Sequence, residues 1–355
     1  MKPRWLTSLS GKRLGQQVLT LAVAFLGGLA LKHLGFPLPW IMGAMLFVAA
    51  LSMSGHAAKQ PWFGRRAAQV TIGTGLGLYF TQEVIREVAS LGHWMLLGAV
   101  FATCMSMFFA RVMQRLARVN GRTAIYAVAL GASAEMTMQA QKAGADGAVV
   151  ASAHSLRVIL VVSSASLIAH WSGANSLALL APNVAEISTP YALLFCFAAP
   201  LIGWLLQRVG SPNPWVLGPL FLAAGLAASG LHARLYPSVL VAAQLLIGWG
   251  LGQHMTREFF VRSPRVLFAA ATVTLSMLLI CLGLAWTIAS SAGIPLLTAY
   301  LSLAPGGIAE MAIIAKTFGV GAPIVTAFHF CRIMSTIFLT KRVATMVVRS
   351  GWVKA

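Results

Sequence analysis

Acidic side chains are scarce in this sequence. Only 7 of its 355 residues are Asp or Glu, against 26 Lys or Arg, and charged residues make up 9% of the chain. Soluble domains carry about 25% charged residues, so this composition excludes an ordinary soluble protein. With 58% hydrophobic residues and a mean hydropathy of +0.81, the chain has the composition of an integral membrane protein. The lipid bilayer is therefore its expected partner.

Cysteine is also sparse, and the four cysteines lie singly in apolar segments without a CxxC pair. That spacing excludes the usual zinc and redox motifs. No cluster of His and carboxylates has metal-ligand spacing either, so we expect no metal and no cofactor. The sequence also lacks a recognisable arrangement of nucleophile and base, and it does not predict an enzyme.

The net charge of +19 has two explanations, which differ in where the basic residues lie. Nucleic-acid binding requires Lys and Arg gathered on a soluble face. Here they lie in short loops between apolar runs, as the positive-inside rule describes for cytoplasmic loops. We therefore expect a multi-pass protein of the cytoplasmic (inner) membrane that does not bind nucleic acid directly.

One 27-residue pattern occurs twice, at 131–157 and again at 306–332, so that matching residues are 175 positions apart. Each copy holds one Glu, one His and one Arg in apolar sequence, where a charge needs a functional or structural reason. The matching pairs are Gly131/Gly306, Ala134/Ala309, Glu135/Glu310, Met136/Met311, Ala140/Ala315, Gly144/Gly319, Val150/Val325, His154/His329 and Arg157/Arg332.

The same offset relates the helices that the sequence predicts. Pro-Trp pairs at 39–40 and 214–215 predict helix starts, because proline in the first turn loses no hydrogen bond. Gly73 and Gly77, repeated as Gly248 and Gly252, form GxxxG faces that allow close helix packing. The predicted segments are 14–34, one that begins near Pro39, 66–81, 92–112, 123–142, 147–169, 190–206, 214–231, 238–256, 266–289, 296–316 and 321–340. They group into a first membrane repeat (1–170), a joint (171–189), a second membrane repeat (190–345) and a short tail (346–355).

Loop charge distinguishes parallel from inverted repeats. If every segment crosses the membrane, 16 Lys and Arg lie inside and 8 lie outside. If one segment of each repeated unit enters and returns on the same side, 19 lie inside and 3 outside. The second arrangement fits the positive-inside rule better. We therefore predict an all-α polytopic membrane fold of two inverted repeats, with about five crossings and one interrupted or re-entrant segment in each. Both termini are then cytoplasmic.

The later copy of the pattern begins at a predicted helix break over 304–307, where the sequence is Ala-Pro-Gly-Gly. Proline removes a hydrogen-bond donor, and glycine costs a helix about 1 kcal/mol relative to alanine. Broken backbone at membrane depth is tolerated only where it is buried or lines a cavity. Glu310 would then lie near the free N–H groups of a half-helix. The earlier copy has Gly-Ala-Ser at 131–133, which predicts a softer break before Glu135.

Two interpretations of the repeated charges remain open. Each Glu and Arg could form an ion pair that only locks the repeats together, since buried charges pair regardless of function. Alternatively, the Glu residues carry protons or bind a cation, while the Arg residues and the half-helix N-termini hold an anionic group. The His and Arg of each copy are three residues apart, which places them on one helix face. The candidate substrate- and ion-binding residues are Glu135, Glu310, Arg157, Arg332, His154, His329, Gly306, Gly307, Gln69 and Gln244.

The Pro-Trp-x-x-Gly helix starts, the Gly-x-Gly-Leu-Gly segments and the Ala-Glu-Met…Gly…His-x-x-Arg units together resemble the AbrB-like membrane protein family over nearly the whole chain. That family is similar to the superfamily of cation–proton antiporters and anion transporters, in which inverted repeats contain broken helices. The resemblance implies a secondary transporter of a small, anionic solute, coupled to protons or another cation, working by alternating access at the repeat interface. The alternative is a membrane regulator or sensor acting on gene expression through a partner, and a membrane monooxygenase is the least favoured. Homo-oligomerisation stays open.

Overall fold

The protein is described by a computed structural model over residues 11–36, 38–130, 133–171, 186–211, 213–255, 257 and 264–349. Within these residues the chain forms fifteen α-helices and no β-strand, which confirms the all-α prediction. The helices are α1 Gly11–His33, α2 Pro39–Met53, α3 Gly64–Gly77, α4 Gln82–Ser90, α5 Gly92–Ala117, α6 Gly121–Val128, α7 Ser133–Lys142, α8 Gly147–Trp171, α9 Thr189–Arg208, α10 Pro214–Ala228, α11 Pro237–Gly252, α12 Pro264–Ala292, α13 Leu296–Leu303, α14 Ile308–Thr317 and α15 Ala322–Arg349.

Among the residues that the structure describes, five helices are long and apolar enough to cross a bilayer, namely α1, α5, α8, α9 and α12. A helix rises about 1.5 Å per residue, so about 20 apolar residues span the hydrocarbon core. Large apolar side chains point away from the protein on several of them, including Leu26, Phe197 and Leu279, which are 58%, 75% and 71% exposed. Contact with lipid tails accounts for this exposure. The chain is a multi-pass helical membrane protein.

The two predicted Pro-Trp helix starts are confirmed. α2 begins at Pro39 and α10 begins at Pro214, each with proline in the first turn. The residues before them, Leu38 and Asn213, both adopt the left-handed conformation, with φ of 56° and 46°. The chain therefore makes the same turn into the helix at both places, as expected for two copies of one structural unit.

One compact unit comprises residues 1–71 and 236–262, and its described part contains α1, α2, α11 and the beginning of α3. Here α11 packs on α2 through Gly248 and Gly252. A Cβ atom at Gly248 would lie 2.6 Å from the carbonyl oxygen of Ile41, and one at Gly252 would lie 2.5 Å from that of Met45. Only glycine permits this approach of the two backbones, as the GxxxG pattern predicts.

The other compact unit comprises residues 72–235 and 263–355. In it the end of α3 packs on α10, because a Cβ atom at Gly73 or Gly77 would overlap the carbonyl oxygens of Val216 and Leu220. In each unit the glycine-bearing helix thus packs on the Pro-Trp helix of the other sequence repeat. The two units therefore each combine parts of both repeats, while the repeat and joint boundaries drawn from the sequence stay a prediction.

The predicted segment 123–142 is divided into α6 and α7, and its two ends are neighbours. Arg122 donates from Nη1 to the carbonyl of Ala143 at 3.2 Å, and the Asp146 N–H donates to the Thr123 hydroxyl at 2.9 Å. At 1.5 Å per residue, α6 rises about 12 Å and α7 about 15 Å, roughly half the hydrocarbon core. The pair is a re-entrant hairpin that enters and leaves at one end of the unit.

The predicted segment 296–316 is divided in the same way, into α13 and α14. The residues 304–307 that separate them are the Ala-Pro-Gly-Gly break, so that prediction is confirmed. A Cβ atom at Gly321 would lie 2.9 Å from Cγ2 of Thr298, which brings the start of α13 beside the end of α14. These positions match Asp146 and Thr123 in the first copy, so both hairpins fold alike.

The two hairpins enter from opposite ends of the unit. The hydroxyl groups of Ser164 on α8 and Tyr300 on α13 are 2.8 Å apart. α8 begins beside the open end of the first hairpin, and Ser164 lies about 25 Å from the start of α8. Tyr300 lies only about 6 Å from the start of α13, so the second hairpin opens at the far end. This arrangement agrees with inverted repeats that have one re-entrant segment each, and the membrane topology itself stays a prediction.

Candidate functional site

The Arg332 side chain reaches from α15 to the point where α13 ends. Its Nη1 donates to the carbonyls of Ala304 at 2.7 Å and Leu303 at 3.4 Å, and its Nη2 donates to the carbonyl of Gly306 at 2.6 Å. The last carbonyls of a helix lack partners within the helix, and they carry partial negative charge. A buried cation at this position satisfies the carbonyls and offsets that charge, so Arg332 caps the broken helix.

His329 holds this arginine in position. The Arg332 Nη2 also donates to Nδ1 of His329 at 2.9 Å, and Nε2 of His329 lies 2.8 Å from the carbonyl oxygen of Leu301. A guanidinium group has no acceptor, so Nδ1 must accept and the hydrogen must be on Nε2. His329 is fully buried and Arg332 is 3% exposed. The imidazole is therefore neutral and links two turns of α13 to the capping arginine.

The first repeat builds the same device from α8. Arg157 donates from Nη1 to the carbonyl of Ala129 at 3.0 Å and from Nη2 to Nδ1 of His154 at 3.0 Å. The Nε2 of His154 lies 2.9 Å from the carbonyl oxygen of Tyr126. Each partner is 175 positions from its counterpart in the second repeat. The prediction that the His and Arg of each copy share one helix face is confirmed, and the acceptors on α6 and α13 explain why.

These contacts differ from the ion pair that the sequence left open. Four contacts match the four N–H bonds on the two Nη atoms of Arg332, and none of the four goes to Glu310. Within the guanidinium groups of Arg157 and Arg332, the Nε atom is the one that is buried without a protein partner. Direct binding of an anion by the Nη groups would break the helix caps. The geometry therefore favours capping over the anion-binding role that we predicted for the two arginines.

Glu310 lies at the third residue of α14, directly after the break. The helix starts from Gly307, which has extended backbone, with φ −85° and ψ 159°. A Cβ atom at Gly307 would overlap the carboxylate of Glu310, so the absence of a side chain leaves room for it. A carboxylate at this position faces the free N–H groups and the positive end of the helix dipole. Glu310 is only partly buried, unlike the two arginines.

Arg157 of the first repeat lies near the second hairpin. α8, which carries Arg157, packs against both α13 and α14. The charges of Arg332 and Glu310 both act on Arg157. The matching part of the first hairpin is less fully described, because Gly131 and the side chain of Glu135 lie outside the described residues. The backbone of Glu135 lies in α7, as Glu310 lies in α14.

A family profile described as "Transition state regulatory protein AbrB" matches the chain over residues 2–91 and 57–348. These matches cover nearly the whole chain. The chain belongs to the AbrB family. It is 26% identical over 338 residues to the Escherichia coli protein "Putative regulator AbrB", covering 93% of this chain and 94% of that one. It is 24% identical over 346 residues to the Bacillus subtilis protein "Uncharacterized protein YhjN", covering 90% of each.

Two candidate residues of this AbrB-family chain belong to the compact unit that does not contain the hairpins. Gln69 is on α3 and Gln244 is on α11, and both belong to the compact unit that contains α1 and α2. Each is half-buried. Their proposed contact with a substrate stays a prediction.

Sequence reasoning missed the residues that receive the hydrogen bonds. The carbonyls of Tyr126, Ala129, Leu301 and Ala304 are backbone groups, which no side-chain pattern reveals. The Ser164–Tyr300 contact was missed because Tyr300 aligns with Ile125, so it falls outside the repeat signal. Among the residues that the structure describes, no group of three or more His, Cys, Asp or Glu could hold a metal ion.

Proposed function

We propose that this protein is a secondary transporter of a small solute, coupled to protons or another cation, that works by alternating access around the two hairpins. The observation that carries the proposal is the pair of re-entrant hairpins opening at opposite ends of one unit. Interrupted helices in inverted repeats are a transporter architecture, with the site near mid-depth where the repeats meet. A protein that only signals needs no such break in its membrane helices.

Glu310 is the proposed coupling group. It is the charged residue next to the break, and it is partly accessible rather than enclosed. Proton or cation binding would neutralise it, and this change would alter its attraction to the N-terminus of α14. Glu135 occupies the equivalent sequence position in α7, and we propose the same role for it.

An anionic group on the solute would bind at the half-helix N-termini. The first N–H groups of α14 lack partners within the helix, and the helix dipole favours negative charge there. Arg157 and Arg332 would support this binding from a distance, because each fixes the end of the preceding half-helix. Both Nη groups of each arginine already donate to the protein, so we assign the arginines a positioning role.

The proposed location is the cytoplasmic membrane, with both termini in the cytoplasm. The open end of the first hairpin carries Arg115, Arg118 and Arg122, whereas the loop that precedes the second hairpin, residues 290–295, carries no Lys or Arg. The positive-inside rule places the first of these ends in the cytoplasm. The second hairpin would then open to the outside.

A reconstituted transport screen tests the proposal. Purified protein in proteoliposomes with an imposed pH gradient is offered small organic acids and inorganic cations one at a time, and internal pH is followed with a trapped dye. We expect at least one solute to change the rate at which the gradient collapses, relative to protein-free liposomes. Identical rates for every solute and cation would contradict proton-coupled transport.

A further inference from the structure

A small cavity lies beside Arg157. Its volume is about 10 Å³, and α5, α6, α8 and α12 line it, with Met113, Ala153, Arg157, Thr274 and Met277 among the lining residues. All of these lie in the unit that holds the two hairpins. A cavity of about 10–15 Å³ on this scale can hold one water molecule.

Arg157, which lines this cavity, has one hydrogen-bond donor without a protein partner. Arg157 is 4% exposed, and its Nε is buried without any protein acceptor. A charged N–H that is left unsatisfied in a membrane interior costs several kcal/mol, so native proteins satisfy such groups. The Thr274 side chain, which is 3% exposed, supplies a hydroxyl on the same cavity. A water molecule needs two or more polar partners, and these two groups provide them.

We propose that this cavity binds one water molecule, which accepts from the Nε of Arg157 and hydrogen-bonds to the hydroxyl of Thr274. The water completes the hydrogen bonding of the arginine that caps α6. This inference goes beyond the proposed transport activity and does not depend on it.

The surroundings of Arg332 are built differently at the matching positions. Phe328 replaces Ala153, and Ala99 replaces Thr274. The Phe328 ring is 3% exposed and packs with Leu91, Met95 and Ile324. The Nε of Arg332 also lacks a protein partner, but an aromatic ring takes the space that is open beside Arg157. The water site is therefore specific to Arg157 and is not repeated at Arg332.

X-ray radiolytic footprinting of the full-length protein in detergent tests this site. Radiolysis of a bound water produces hydroxyl radical in place, and methionine next to that water is oxidised to the sulfoxide. Met113 and Met277 are 0% and 1% exposed, so bulk solvent does not reach them. We expect both to be labelled clearly above Met45, which is equally buried in the other unit. Labelling of the two at the level of Met45 would overturn the proposal.

Substitutions at the cavity give the matched controls. Ala153→Phe introduces the residue of the second repeat, and we expect it to reduce the labelling of Met113 and Met277 to the level of Met45. Thr274→Val keeps the shape but removes the hydroxyl, and it should lower labelling, whereas Thr274→Ser should retain it. If Ala153→Phe does not fold, the Thr274 pair still decides. Unchanged labelling in Thr274→Val would contradict a water bound by these two groups. Labelling that requires chloride in the buffer would also contradict it, because the site would then depend on an anion.

Discussion

Arg332 donates to the carbonyl oxygen of Ala304 at 2.7 Å, and Arg157 donates to that of Ala129 at 3.0 Å. In both repeats a guanidinium group on the helix after the hairpin caps the first half of the hairpin. The membrane interior offers no water for these carbonyls, so a side chain must satisfy them. This requirement explains why the arginine recurs 28 residues after its acceptor in each copy.

Capping predicts how Arg332 and Glu310 behave when both are replaced. Arg332→Met leaves three carbonyls and Nδ1 of His329 without a donor. Each buried orphan costs about 1–3 kcal/mol, so we expect a loss of at least about 3 kcal/mol of unfolding free energy. Glu310→Gln should unfold like wild type, and the double variant should be as unstable as Arg332→Met. Thermal unfolding in detergent measures all three.

Arg157→Met is the matched comparison, because Arg157 has two described contacts where Arg332 has four. We expect the same direction with a smaller loss. Rescue of Arg332→Met by Glu310→Gln would show instead that the two residues form an ion pair.

The histidines should be neutral, with the hydrogen on Nε2. In the structure Nδ1 of His154 and of His329 accepts from an arginine that can only donate. Protonation of Nδ1 would remove that acceptor and place a second positive charge beside the guanidinium. Solid-state NMR of protein labelled with ¹⁵N-histidine should therefore show two residues with unprotonated Nδ1 from about pH 5 to 8. A protonated Nδ1 at both sites near pH 7 would contradict this hydrogen-bond pattern.

The hairpins predict a pattern of chemical labelling from the two sides of the membrane. In a background without the four native cysteines, Cys at Arg118 or Lys142 should react from the cytoplasmic side only. Cys at Ser291 or Thr317 should react from the outside only. Membrane-impermeant maleimides applied to spheroplasts and to inverted vesicles measure this. If Arg118 and Lys142 react from opposite sides, α6 and α7 together cross the membrane and the re-entrant description is wrong.

Much of the fold could be predicted because the repeat makes its constraints visible in the sequence. Pro39 and Pro214 located two helix starts, and Gly73, Gly77, Gly248 and Gly252 located two close packings. The loop charges indicated the inversion, and the Ser164–Tyr300 contact agrees with it. Each of these features depends on a residue type that has few structural explanations.

The partners of the charged residues could not be predicted in the same way. Arg332 and Glu310 are opposite charges in one apolar segment, so pairing was a reasonable expectation. The sequence does not show which backbone carbonyls the broken helix leaves without partners. In the structure these carbonyls, and not Glu310, accept hydrogen bonds from the Arg332 guanidinium. It was also unpredictable that Gln69 and Gln244 belong to the compact unit without the hairpins. The sequence does not show which helices of the two repeats pack together.

The most direct test of the central claim is proton-coupled flux through Glu310→Gln in proteoliposomes, measured with the solute that the screen identifies. Glutamine has the shape of a protonated glutamate and cannot titrate. We predict that the variant melts at the same temperature as wild type and shows no flux driven by the pH gradient, while Glu135→Gln, which follows the softer break, loses less. Wild-type flux through correctly folded Glu310→Gln would contradict the assignment of Glu310 as the coupling group.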